Sequence, residues 1–279
     1  GGGYGSDAAW LRDELARVRA ATTRPWGVGF ITWSTDPGIL EVALAHEPHA
    51  VMLSFGDPRP FGRVVRAAGC KLICQVQDLA GARLAAEAGA DLVVAQGSEG
   101  GGHGGTRATL PLVPAVIDAV APIPVIAAGG IADGRGLAAA LLLGAQGALI
   151  GTRFYASDEA LGHAAAKAAI VSGSGDQTTR TTIFDTVRDL AWPLPYTGRA
   201  LRNDFMARWH GREKELASAL STERGRYRQA ASTGDVDTAV IWAGEGIDLI
   251  DALGAAGETM RRMADDAEAR LRDVPRLLS

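Results

Sequence analysis

The sequence predicts an α/β fold of the TIM-type (β/α)8 barrel class carrying a C-terminal helical extension. Three observations predict it. Short, nearly continuous apolar runs recur about every 20 to 30 residues, the period of a βα unit in a parallel sheet. An Ala/Leu-rich amphipathic stretch lies between most of them. Six such runs follow one another without the long crossover that would mark the switch point of a doubly wound sheet, which otherwise accepts the same alternation.

In order, the strand candidates are Trp26–Thr32, Ala50–Phe55, Lys71–Val76, Asp91–Gln96, Pro124–Ala128 and Gly147–Gly151. Their unbroken hydrophobicity suits parallel strands covered on both faces. Helices are expected at Asp7–Ala21, Gly38–His46, Arg59–Ala68, Leu79–Ala88, Leu112–Val120 and Arg135–Leu143. Gly89-Ala90-Asp91 and Gly144-Ala145-Gln146-Gly147 each end a helix with glycine and enter a strand at once, as a left-handed helix cap does. The chain opens at Gly1-Gly2-Gly3-Tyr4, directly before its first helix. One barrel strand and most of another are therefore missing from the pattern, as in a sequence that begins inside a longer parent chain.

Beyond residue 155 the alternation stops. A helix is expected at Glu159–Ser172, a polar loop at Asp176–Gly198, a charged helical region at Leu201–Gln229 and a final amphipathic helix at Gly257–Leu271. A structureless loop of about 20 residues is unusual in a compact domain, so Asp176–Gly198 is expected to pack on something. The division this suggests is a barrel core at 1–155, a helical and loop subdomain at 156–240 capping the barrel mouth, and a segment at 241–279 packing back on the barrel.

Composition narrows the function. With 28 Lys+Arg against 32 Asp+Glu, the formal charge of -4 leaves no footprint for nucleic acid or anionic membranes. No apolar stretch reaches the ~20 residues of a membrane span and no signal peptide is evident, so a cytoplasmic enzyme is the default. Cys70 and Cys74 have neither a metal-like nor a disulfide-like pattern, and Cys74 reads as a small buried hydrophobe. His46, His49, His163 and His210 lack metal-ligand spacing, so no metal site is expected. Asp265-Asp266 reads as a solvated helix face. Gly244-Glu245-Gly246, after Ile241-Trp242-Ala243, has more glycine than a helix wants and is a candidate contact at the barrel mouth.

Chemistry concentrates in three places. Gln96-Gly97-Ser98-Glu99-Gly100-Gly101-Gly102-His103-Gly104-Gly105 follows an apolar strand and holds six glycines in ten residues. A loop at the carboxyl end of a parallel strand is where barrel enzymes build their sites, and an imidazole exchanges protons near neutrality. The second is Val125-Ile126-Ala127-Ala128-Gly129-Gly130-Ile131, and the third is Leu149-Ile150-Gly151-Thr152-Arg153-Phe154. As barrel strands seven and eight their loops would form a phosphate site, with amides from Gly129, Gly130 and Gly151 and a hydroxyl from Thr152.

At these residues the sequence resembles the nitronate monooxygenase family, also known as 2-nitropropane dioxygenases. The segments are AQGSEGGGHGG (95–105), PVIAAGGIADGRGLAAALLLGAQGALIGTRF (124–154), GRALRNDF (198–205) and VIWAGEGIDLI (240–250). The resemblance implies an FMN cofactor, with Gly129, Gly130, Gly151 and Thr152 at its phosphate. It implies that Gln75, Gln96, Gly101 and Gly102 line its ring or ribityl chain. His103 matches the family's active-site histidine, taking a proton from a nitroalkane or binding nitronate oxygens. The implied reaction oxidises alkyl nitronates or nitroalkanes with dioxygen to a carbonyl compound and nitrite, with only a small-molecule substrate and dioxygen as partners. Gly100 stands where the family commonly has alanine, and the family's first strand, with its Pro-Met-Ala segment along the flavin ring, is absent from this sequence. Two alternatives stay open: an NAD(P)H-dependent flavin reductase of the enoyl-acyl-carrier-protein reductase type, which shares the glycine–histidine loop, and a barrel that only binds a phosphorylated ligand.

Overall fold

A computed structural model describes residues 7–277; the Gly1-Gly2-Gly3-Tyr4 opening lies outside the described residues. The chain divides into two compact units. One comprises Gly1–Gln96, Pro111–Ile126 and Gly144–Gln146, and the other Gly97–Leu110, Ala127–Leu143 and Gly147–Ser279.

In the first unit four parallel strands, β1 (Gly27–Ile31), β2 (Ala50–Ser54), β3 (Lys71–Val76) and β4 (Leu92–Gln96), pair in chain order. Helices α1 (Ala8–Ala21), α2 (Pro37–Leu44), α3 (Arg59–Ala67) and α4 (Leu79–Glu87) precede or connect them, and α5 (Thr109–Val120) lies mainly in this unit. One face of the sheet, with Val51, Leu53, Leu72, Cys74 and Val93, is fully buried, whereas Met52, Ile73 and Gln75 on the alternate face are half-buried. The helices begin where sequence grammar says they should. The carboxylates of Asp36 and Asp78 accept from the amides of Gly38 and Gly81 inside the first turn, satisfying donors that a helix start leaves orphaned. They stop at Gly69 and Gly89, whose φ of 76° and 78° lie in the left-handed region.

The second unit holds β5 (Gly102–Gly104), the end of β6 (Val125–Ala128), α6 (Gly134–Leu142), β7 (Ala148–Leu149), the single turn α7 (Thr152–Tyr155) and α8 (Ala164–Ser172). There follow β8 (Thr178–Thr181), α9 (Ile183–Arg188), β9 (Thr197–Leu201), α10 (Asp204–Trp209), α11 (Glu213–Ser218), α12 (Leu220–Thr233) and α13 (Ala256–Asp273). Strands β6 and β7 pair in parallel at Ala127–Ala148 and Ala128–Leu149. They continue the strand order β1-β2-β3-β4-β6-β7, so all six expected strands occur as parallel neighbours in sequence order. A separate antiparallel sheet has the order β5-β9-β8.

Two cores fill this unit. Ile183, Phe184, Val187, Ala200, Phe205, Met206, Trp209, Leu216 and Tyr227 form one, and Ala132, Ala156, Ala166, Ile170, Ile241, Ala243, Ile247 and Ile250 the other. Each fully buried large side chain here contributes about 1.5–3 kcal/mol relative to exposure. Helix α13 packs along α6. An added Cβ at Gly134 would lie 2.5 Å from the Asp266 carboxylate, so glycine permits that approach.

Three expectations need correction. The polar stretch Asp176–Gly198 is not a loop: it contains β8 and α9, because its threonines pair as a strand and Ile-Phe-x-x-Val anchors a helix in the aromatic core. Leu201–Gln229 is helical as expected, but only from Asp204 and as three helices. Leu201 ends β9, and the helix breaks at Gly211 (φ 79°) and again at Ala219. The expected helix at Glu159–Ser172 begins only at Ala164. No described helix is long and apolar enough to cross a membrane.

Candidate active site

His103 lies not in a flexible loop but in the middle of strand β5, opposite Gly198 of β9. Gly102 faces Arg199 and Gly104 faces Thr197 across the same ladder. From β8 the chain turns through Thr182 directly into α9, and this places Asp185 in the first helical turn. The two side chains meet. Nε2 of His103 lies 3.0 Å and 2.9 Å from the two carboxylate oxygens of Asp185. Both residues are buried, at 8% and 3% exposure. A carboxylate withdrawn from water needs such a partner, because an unpaired buried charge costs several kcal/mol. Ile183, Phe184 and Val187, none of them exposed, lock α9 into the aromatic core and thereby fix Asp185.

The imidazole is enclosed by aromatic rings. Trp192 stacks on it at 3.5 Å with planes 5° apart, and Trp242 lies 5.1 Å away, tilted by 55°. Trp242 itself meets Phe184 edge-on at 6.0 Å.

Two arginines fasten the loop that leads to His103. Arg180 on β8 donates to the carbonyls of Ser98 (3.0 Å), Gly104 (2.7 Å) and Thr197, and to the Thr197 hydroxyl (2.9 Å). Arg199 on β9 donates to the same Ser98 carbonyl (3.0 Å) and pairs with Glu245 (2.8 Å). Burial, with Arg199 adding repulsion and Glu245 opposing it, brings the Arg180 guanidinium down to about 10. It remains a cation at neutral pH. Glu99 turns away from the histidine, and its carboxylate accepts from the Thr109 amide at the start of α5 (2.9 Å).

The segment 242–246 packs on this loop. The Glu245 amide donates to the Glu99 carbonyl (2.8 Å) and the Gly244 amide to the Thr152 hydroxyl (3.0 Å). A Cβ on Gly244 would stand 2.6 Å from the Glu99 carbonyl oxygen, and one on Gly101 would stand 2.8 Å from Ala243 and Gly244 backbone atoms. Gly244 thus serves backbone contact with the histidine loop, whereas Gly246 lies against Gly130, whose carbonyl oxygen would stand 2.8 Å from a Cβ there.

The residues expected at a cofactor fall into groups. Gly101, Gly102, His103, Gly129, Gly130, Gly151 and Thr152 belong to the second unit, Gln75 and Gln96 to the first. In the first unit the Gln96 side-chain oxygen accepts from Gln75 (2.8 Å) and from Gln77 (2.9 Å), a cluster at the carboxyl ends of β3 and β4. Gly129 and Gly130 have φ of 99° and 73° and line a cavity of about 320 Å³ together with Glu99, Glu245 and the small residues of α6. That cavity is apolar with carboxylates at its edge. Gly151 differs: nothing lies within 4 Å of the position a Cβ would take, and it precedes the first turn of α7 beside the Thr152 hydroxyl. Gly102 (φ 75°), adjoining His103, is open in the same sense. These two open backbone positions, a hydroxyl and a buried imidazole fit a flavin phosphate and ring. Among the described residues no group of three or more His, Cys, Asp or Glu could hold a metal ion.

Sequence reasoning missed Asp185, Trp192, Arg180 and Arg199. The alternating Thr178-Thr179-Arg180-Thr181 and the single carboxylate inside Ile183-Phe184-Asp185-Thr186-Val187 were the available signals.

Comparison with known proteins supplies the remaining findings. The nitronate monooxygenase family profile matches residues 30–266. The chain is 38% identical over 271 residues to nitronate monooxygenase npaC of Metarhizium robertsii, covering 90% of this chain and 72% of that one. Among solved structures, FabK from Thermotoga maritima is similar with a TM-score of 0.86 and 32% identity, over 97% of this chain and 84% of that one. Nitroalkane oxidase from Streptomyces ansochromogenes is similar with a TM-score of 0.77 and 27% identity, over 96% and 87%.

Proposed function

This chain belongs to the nitronate monooxygenase family, a family of flavin-dependent oxidoreductases on TIM-type barrels, and on that premise we propose that it uses FMN to oxidise alkyl nitronates or nitroalkanes with dioxygen to a carbonyl compound and nitrite. The observation that carries the reading is the buried imidazole of His103, which stands on a strand reached through the glycine-rich loop and is held by the Asp185 carboxylate of α9. Bound flavin would supply the acceptor for the substrate's electrons and their route to dioxygen. The protein's own residues do the rest. His103 takes the proton from the carbon beside the nitro group, or donates a hydrogen bond to nitronate oxygens. Gly151 and Thr152 would hold the phosphate, Gly102 would admit the ring close to the backbone, and the indoles of Trp192 and Trp242 would keep water from the imidazole.

Purified protein is expected to show a flavin absorption spectrum and to oxidise propionate 3-nitronate or nitroethane. A colourless protein that takes up no added FMN overturns the reading. His103→Ala should keep the flavin and lose about 10²-fold or more in turnover of neutral nitroalkane, the usual worth of general base catalysis. The likeness to FabK favours a second reading, an NAD(P)H-dependent flavin reductase of the enoyl-acyl-carrier-protein type. Anaerobic bleaching of the flavin by NADPH or NADH, without nitronate, would select it.

A further inference from the structure

We propose that Asp185 is a positioning residue that sets the tautomer and charge of His103, and that it thereby equips the site to accept neutral nitroalkanes as well as preformed nitronates. The proposal rests on the function just given and names the substrate class that needs the pair.

An ionised carboxylate only accepts hydrogen bonds. With both Asp185 oxygens within 3.0 Å of Nε2, that nitrogen carries the proton, so in the neutral ring the lone pair sits on Nδ1. Removing a proton from the carbon of a nitroalkane breaks a C–H bond and leaves its electron pair in the nitronate. The proton goes to Nδ1, and the ring becomes an imidazolium. Water cannot screen that new charge, since both side chains are buried. Asp185 neutralises it at 2.9 Å, and the face of Trp192, parallel at 3.5 Å, adds the attraction of an indole for a cation. A nitronate has already lost that proton, so its oxidation needs no base and asks of His103 only a hydrogen bond. Asp185 therefore matters far more for the neutral nitroalkane than for the nitronate.

The charged and titratable groups on the elements around the pair include Arg180 on β8, Arg199 on β9, Arg188 and Asp189 at the end of α9, Tyr196, Glu245, Glu213, Lys214 and Glu215 on α11, and Glu223, Arg224 and Tyr227 on α12, with Arg224 paired to Asp189 and Glu223 to Arg226. Burial raises the Tyr227 phenol, and Arg180 titrates at about 10.

The test compares wild type with Asp185→Asn on nitroethane and on ethyl nitronate, with flavin content measured alongside. Expected are a fall of about 10²-fold in kcat/KM for nitroethane, carried by kcat rather than KM, and nitronate oxidation kept within about threefold at unchanged flavin content. Equal losses on both substrates, or no loss on either, overturn the proposal. Should the variant fail to fold, ¹⁵N-histidine NMR of the wild-type holoenzyme decides, with the signal assigned through His103→Ala. The Nε2–H tautomer is expected, and an Nδ1–H tautomer overturns the pairing. A wild type inactive on both substrates refutes the functional reading, while the tautomer still tests the pair.

Discussion

Replacing Gly198 by alanine would test how tightly the aromatic wall of the site is set. Gly198 lies opposite His103 on one side and Thr181 on the other, so its backbone is held from both directions. A Cβ there would stand 2.4 Å and 2.6 Å from Cζ3 and Cη2 of Trp242. Carbon atoms rest at about 3.5–4.0 Å, so the indole would have to withdraw by about 1 Å. It has little room: Phe184 meets it edge-on at 6.0 Å and His103 lies at 5.1 Å. Overpacking of this kind costs about 1–3 kcal/mol, and loss of the edge contact with Phe184 would bring the cost to the upper end. At about 2–4 °C per kcal/mol for chains of this order of size, Tm should fall by about 2–12 °C. Urea unfolding followed by circular dichroism gives the free energy. The decisive measurement repeats the substitution in a Trp242→Leu background, where the clash is gone and the cost should fall by 1 kcal/mol or more, about the coupling expected of touching residues. Equal costs in both backgrounds would refute the argument that the ring, not the backbone, makes glycine necessary.

Two further predictions concern groups away from the histidine. Burial pushes the Cys74 thiol up to about 12, so iodoacetamide at about pH 8 should leave it unlabelled in the native protein, where thiolate is the reactive form; labelling faster than global unfolding would contradict this. Burial opposes ionisation of Asp133, yet the Arg135 guanidinium and the Gly136 amide outweigh it and hold its carboxyl below the ordinary range. The stabilisation from this cap is therefore present above the unfolded-state value of about 3.9 and is lost as pH falls through the lower folded value. Asp133→Ala should cost about 0.5–2 kcal/mol at neutral pH, and acid titration of stability should show a smaller decline in the variant than in the wild type.

The parallel sheet was legible because its signals are local. Asp78 and Asp133 cap α4 and α6 from the residue before each helix, and Gly89 and Gly144 end those helices at once with φ of 78° and 94°. The antiparallel sheet was not legible for the opposite reason. Gly102-His103-Gly104 shows no strand alternation, and the residues that make it a strand are Thr197–Arg199, far along the chain. Asp185 escaped for the same cause, standing 82 residues from its partner. His103 was found because glycine density is a local mark. What holds the histidine was hidden because long-range pairing leaves no local trace.

Glycine density marks two different physical demands. Gly101, Gly198 and Gly244 have protein atoms where a side chain would be: the Ala243–Gly244 backbone, the Trp242 ring and the Glu99 carbonyl. Gly102 and Gly151 have nothing within 4 Å. The first group lets β5, β9 and segment 242–246 close on one another, which turns a loop into a fixed strand. The second group leaves backbone open. The two roles depend on each other. A base must be held to within a fraction of an ångström to work, so the packed glycines, with the Arg180 and Arg199 clamps on Ser98, fix where the imidazole stands. Under the proposed function, the open ones are where a flavin would approach the backbone. Substitution at a packed glycine should therefore cost stability first and activity through it, whereas substitution at Gly151 should cost flavin affinity and leave the unfolding of the flavin-free protein unchanged.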